Sequence, residues 1–211
     1  MHSLRLFWNL TIGKDVMESS LFMKIVFATG NPHKLKEIKE IAGNTDITFV
    51  LPAKGFNPVE NGKTFEENSL IKAREAARVS QSLALADDSG LCVEALGGEP
   101  GIYSARYAET PQKRIDKLLS AIKPFENRKA KFVCAMTLVN ENGDKIFSAI
   151  GECHGKIAWQ QAGCGGFGYD PIFIADGQEK TIAELSQDEK NLISHRGKAL
   201  RKVLKWLGEN Y

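Results

Sequence analysis

The sequence predicts an α/β fold: a central mixed β-sheet flanked by helices, with a second lobe. Three observations carry this. Lys24–Ala28 is a short β-prone run that stops at Thr29-Gly30-Asn31-Pro32, after which Leu35, Ile38, Ile41 and Ala42 keep helical spacing. A second run, Ile47–Leu51, is followed by Thr64-Phe-Glu-Glu67, a capping-box pattern opening another helix. Lys131–Val139 and Lys145–Ile150 flank an Asn-Glu-Asn-Gly turn, so a hairpin interrupts the strand–helix alternation.

The elements follow in order. Asn31 is a good N-cap and Pro32 a good first helical residue, while Gly43 closes that helix. Residues 52–63 read as a polar loop containing Glu60, and the helix begun at Thr64 runs to about Ser80. Leu83–Ala86 reads as a strand ending at Asp87-Asp88, and Leu91–Glu94 as a separate one. Thr110-Pro111 opens a helix to about Ile122. Residues 151–158 read as a third strand beside the hairpin, and Gly163–Asp170 as a glycine-rich loop. The last helix spans about Ser194 to Leu207, with Ala199, Leu200, Val203 and Leu207 on one face.

With 211 residues, 43% hydrophobic and 26% charged, the chain has the composition of a globular protein. Its net charge of +2 provides no global field toward nucleic acid or membrane. The four cysteines form no C-x-x-C pair and suit no zinc module, which points to thiols in a reducing compartment. Cys153 beside His154 is the one pair that resembles an activated thiol. Residues 1–22 precede a second plausible start at Met23. They carry no small-residue cleavage site after a proper apolar core and are too short and too polar to span a membrane, so residues 1–22 are expected to be an extension and residues 23–211 a single domain in the cytoplasm.

Five segments can carry chemistry. Thr29, Gly30, Asn31 and Lys34 combine a glycine turn, a helix N-terminus and a cation, which together suit a phosphate. Asp87, Asp88 and Glu60 are oxygen ligands for a hard cation, and such a carboxylate can also take a proton from water. The same Asp-Asp-Ser-Gly residues also make a plain solvated turn. Neighbouring strand residues point to opposite faces, so one of the two aspartates is expected to face the site directly. Lys72 and Lys190 are candidate cations, each with an ordinary exposed basic surface as the plainer reading. Phe167, in a glycine-dense loop, offers a stacking face for a base, and Asp170 an acceptor. His195 and Arg196 offer donors to carbonyl oxygens. An anion cradle, an acid cluster, lysines and a base-sized pocket together suit a nucleoside triphosphate.

The motifs TGNPHK (29–34), FEENSLIKAREA (65–76), ADDSGLCVEALGGEPGIYSARYA (86–108), GGFGYDPIF (165–173) and SHRGKAL (194–200) closely resemble those of the non-standard purine nucleoside triphosphate pyrophosphatases. These are also called inosine/xanthosine triphosphate diphosphatases. The resemblance covers residues 23–208, and the extension is its one departure. It implies an elongated, two-lobed homodimer that hydrolyses ITP, dITP and XTP to the monophosphate and pyrophosphate with Mg²⁺. It also implies roles. Residues 29–34, Lys72 and Lys190 would bind the triphosphate and Ser89 would contact substrate. Glu60 and Asp88 would hold the metal, with Asp87 assisting and Asp88 as general base. Phe167, Gly168, Tyr169, Asp170, His195 and Arg196 would hold the base.

Overall fold

The computed structural model describes residues 23–211; the expectation for residues 1–22 lies outside them. Six strands form one sheet: β1 (Met23–Phe27), β2 (Ile47–Val50), β3 (Ala84–Val93), β4 (Lys129–Val139), β5 (Lys145–Ile157) and β6 (Phe173–Ala175). Their order is β2-β1-β3-β4-β5-β6. β1 pairs in parallel with β2 and β3, and the remaining neighbours are antiparallel. The sheet is therefore mixed, as the sequence predicts.

Helices α1 (Pro32–Ala42), α2 (Phe65–Ser80), α3 (Pro111–Ile122), α4 (Gln187–Ile193) and α5 (His195–Asn210) surround it. Asn31 caps α1 by accepting from the His33 N–H, and Thr64 caps α2 by accepting from the Glu67 N–H. The Glu67 carboxylate accepts from the Lys63 N–H instead of closing onto Thr64.

Two elements run longer than expected. β3 passes straight through Asp87-Asp88-Ser89-Gly90, pairing Ala84 with Val139 and Val93 with Ala130, so the acids lie within a strand and not at its end. β4 supplies a complete antiparallel partner, which outweighs the turn preference of those residues. Gly90 fits because the segment 101–104 crosses it closely. A Cβ there would lie 2.2 Å from the Gly101 carbonyl oxygen. Likewise the return strand and the expected third strand are one element, β5.

The long strands carry two apolar clusters, one toward each end. Leu85, Met136, Leu138 and Ala149 pack with α1 and α5, while Leu91, Val93, Ala130, Phe132 and Ile157 pack with α3 and the 169–182 segment. Asp87 and Asp88 sit between them. A third, alanine-rich cluster joins Ala73, Ala76 and Ala77 of α2 to Ala84 and Ala86 of β3. These small side chains bring α2 close to the strand, so its polar residues reach the acids.

Candidate active site

Strand alternation divides the two acids. Asp87 shares a face with Leu85 and Leu91 and is turned toward α1 and α5. Its Oδ1 is 3.0 Å from Lys34 Nζ, and its Oδ2 accepts from Arg196 (2.9 Å) and Ser89 Oγ (2.7 Å). Asp88 points to the other face and α2. Lys72 Nζ lies 2.7 Å from its Oδ1 and 3.3 Å from Glu60. Asn68 Nδ2 donates to its Oδ2 at 3.3 Å.

Their environments also separate them electrostatically. Burial opposes ionisation of Asp87, but Lys34, Arg196 and Lys72 outweigh it and hold its carboxyl well below the usual carboxylate range. Burial dominates at Asp88 and pushes its carboxyl above that range, with Lys72 only partly offsetting it. Burial likewise opposes the charge on Lys72, yet Asp88, Asp87 and Glu60 raise its pKa. Asp87 is thus a fixed anion, and Asp88 is the better proton acceptor of the two.

At the other end, Phe167, Gly168, Tyr169 and Asp170 form a shelf. Asp170 Oδ2 accepts from the Phe167 N–H (2.7 Å) and from Lys190 (2.9 Å), and Lys190 Nζ stands 4.7 Å from the Phe167 ring centre. The His33 ring stacks on Phe167 at 5.5 Å. Tyr169 is buried and donates to the Ser104 carbonyl, and burial raises its phenol. His195 is buried and stacked on Phe132 at 4.8 Å; burial and the adjacent Arg196 hold its imidazole well below its ordinary pKa, so it is neutral.

All the residues chosen from the sequence line one cavity of about 690 Å³. Both aspartates line it, where one was expected to face it directly. Asp87 reaches it from a position whose oxygens are engaged by Lys34, Arg196 and Ser89, while Glu60 and Asp88 share the Lys72 ammonium. Lys190, expected at the phosphates, stands beside Asp170 and Phe167. Arg196, expected at the base, stands 5.7 Å from the Phe167 ring centre, is 2% exposed and gives its donors to Asp87, Glu37 and Ser89. The cause is Glu37, a buried acid of α1 absent from the sequence-derived set, which pairs with both Arg196 and Lys190. Asn68 was also missed. Among the described residues there is no group of three or more His, Cys, Asp or Glu able to hold a metal. The Cys153–His154 pair does not assemble: burial raises the thiol, and His154 is exposed and paired with Glu152.

A family model described as the Ham1 family matches residues 25–206. The dITP/XTP pyrophosphatase of Prochlorococcus marinus (strain NATL1A) is 45% identical over 181 residues, covering 85% of this chain and 91% of that protein. The dITP/XTP pyrophosphatase of Bacillus cereus (strain ATCC 14579) is 45% identical over 190 residues, with 85% and 92% covered. The structure of a HAM1 protein from Coxiella burnetii matches with a TM-score of 0.81 at 41% identity, covering 89% of this chain and 99% of that one. Sequence, fold and cavity agree: this chain belongs to the Ham1 family.

Proposed function

We propose that the protein hydrolyses non-standard purine nucleoside triphosphates, namely ITP, dITP and XTP, to the monophosphate and pyrophosphate, keeping them out of DNA and RNA. The relatives' name, dITP/XTP pyrophosphatase, supports this substrate class. The observation that carries it is one cavity lined together by a glycine turn, Lys34, Asp88 and a stacking shelf. Its size suits a nucleotide-sized ligand.

In the reaction, Asp88 accepts a proton from a water whose oxygen bonds to the α-phosphorus. The Pα–O bond to the β-phosphate breaks, and pyrophosphate leaves with the bonding electrons. Lys72 holds Asp88 in place and, with Lys34 and the residues 29–31, offsets phosphate charge. Mg²⁺ belongs to this proposal. Glu60 and Asp88 both lie against the same ammonium group, so their oxygens converge. One or two carboxylates suffice for Mg²⁺ when waters and phosphates complete its shell, and the bound ion would neutralise charge on the phosphates.

Hypoxanthine and xanthine present a 6-oxo acceptor and an N1–H donor; adenine presents the reverse. Lys190 and His195 as donors and Asp170 as acceptor, lining the cavity together with Phe167, suit the first pattern. Rejection of the second follows from buried polar groups left unpaired. A homodimer in the cytoplasm completes the proposal; sizing chromatography and cell fractionation test those two points.

Asp88→Asn tests the chemistry. It keeps the shape and removes the base, so pyrophosphate release from ITP should fall by about 10²–10⁴-fold with the circular dichroism unchanged. Turnover near that of the wild type would remove Asp88 from its role.

A further inference from the structure

Asn68 is fully buried in the first turn of α2 and touches both halves of the acid site. Its Oδ1 accepts from the Gly62 N–H at 2.9 Å, and its Nδ2 donates to Asp88 Oδ2 at 3.3 Å. The orientation of the amide is unambiguous. A backbone N–H only donates, and an ionised carboxylate only accepts, so the oxygen must face Gly62 and the nitrogen Asp88. One helical turn later, Lys72 takes the other Asp88 oxygen at 2.7 Å and reaches Glu60 at 3.3 Å. Residues four apart lie on one helix face. Both therefore bridge Asp88 to the same loop, Lys72 at Glu60 and Asn68 two residues further on.

The loop is built to that contact. A Cβ on Gly62 would lie 2.7 Å from Asn68 Oδ1 and 2.7 Å from Glu67 Cβ, so a glycine is required for the approach. The helix is anchored next door, where Ser69 Oγ and Thr137 Oγ1 of β4 are 2.6 Å apart. β4 is itself the antiparallel partner of β3 at Asp88. The frame therefore closes: β3 holds Asp88, β4 holds α2, and α2 holds both Asp88 and the Glu60 loop.

We propose that Asn68 is a positioning residue that fixes the Asp88 carboxylate relative to the Glu60-bearing loop, with one end of its amide on each. This rests on the reading of Asp88 as the base. Asn68 itself stands behind Asp88, so it acts on turnover more than on substrate affinity.

Two near-isosteric variants separate its ends. Asn68→Asp keeps an oxygen for the Gly62 N–H and loses the donor to Asp88. Asn68→Leu loses both. Kinetics with ITP and Mg²⁺ are to be read together with hydrogen exchange of the Gly62 amide, which needs no substrate. In Asn68→Asp, kcat should drop about tenfold or more with KM changed by less than about threefold, the size expected for the loss of a supporting contact. Its Gly62 amide should stay protected as in the wild type, whereas Asn68→Leu should lose that protection. Wild-type kcat in Asn68→Asp, or unchanged Gly62 exchange in Asn68→Leu, would overturn the proposal. Should wild-type protein release no pyrophosphate, or Asp88→Asn remain active, the proposed function fails instead; the exchange result then still decides whether Asn68 holds the loop.

Discussion

Asp87 and Asp88 are adjacent on β3 yet have opposite surroundings, and the two consequences can be measured. Asp87 is a structural anion within a buried lattice that includes Arg196 and, through it, Glu37. Removing one member of such a lattice leaves a buried charge without its partner. Glu37→Gln should therefore cost about 3–5 kcal/mol of stability by urea denaturation. A loss below about 1 kcal/mol, the range of an exposed ion pair, would mean that Glu37 is not the counter-ion described. His195 gives a pH prediction. Its folded pKa is depressed, so on acidification through about 6.5 the unfolded chain binds a proton before the folded one does. That stability is present above this pH and is lost below it. His195→Gln should flatten the fall in stability between about pH 7 and pH 5; an unchanged slope would contradict the buried neutral ring. Glu37 and Asn68 escaped the sequence reading for a common reason. Polar residues within a helix read as its wet face, and only the fold shows that these two point inward.

At the scale of elements, strand–turn–helix units with their own caps were legible, because their signals are local. Asn31-Pro32, Thr64 and Thr110-Pro111 all mark the helix starts found in the structure. What was misread depends on distant pairing. Asp-Asp-Ser-Gly looks like a break until β4 is laid beside it, and Gly151 looks like one until β5 is seen to pair with β4 over its length. Helix α4 is different: Ser186 and Glu189 form a capping box, and that signature was present in the sequence. The unbroken β3 makes its own prediction. Gly90→Ala would push a methyl group against the Gly101 carbonyl, Phe65 and Ser104. It should destabilise the fold by about 1–3 kcal/mol, the cost of overpacking. A melting temperature equal to that of wild type would refute the close crossing of segment 101–104.

At the scale of the whole molecule, opposite charges alternate along one line beside the cavity: Asp170, Lys190, Glu37, Arg196, Asp87, Lys34. The line joins the stacking shelf to the glycine turn, so the two ends of a bound nucleotide would rest on one rigid assembly. Among the described residues no helix is long and apolar enough to cross a membrane. The sequence motifs hold all of the chosen residues except Glu60 and Lys190, which the fold brings to the same cavity. The motifs do not reveal that Glu37 holds both Lys190 and Arg196. The central proposal is that this cavity accepts hypoxanthine and xanthine, rejects adenine, and cleaves the triphosphate at the α-phosphorus. It is tested most directly by pyrophosphate release from ITP, XTP, dITP, GTP and ATP, each with Mg²⁺ and with EDTA. The expected result is metal-dependent release from ITP, XTP and dITP, with ATP slower by about two orders of magnitude or more; guanine shares the 6-oxo and N1–H groups, so GTP reports on its 2-amino group alone. Equal turnover of all five would contradict the base-recognition argument, and no release from any would contradict the enzyme.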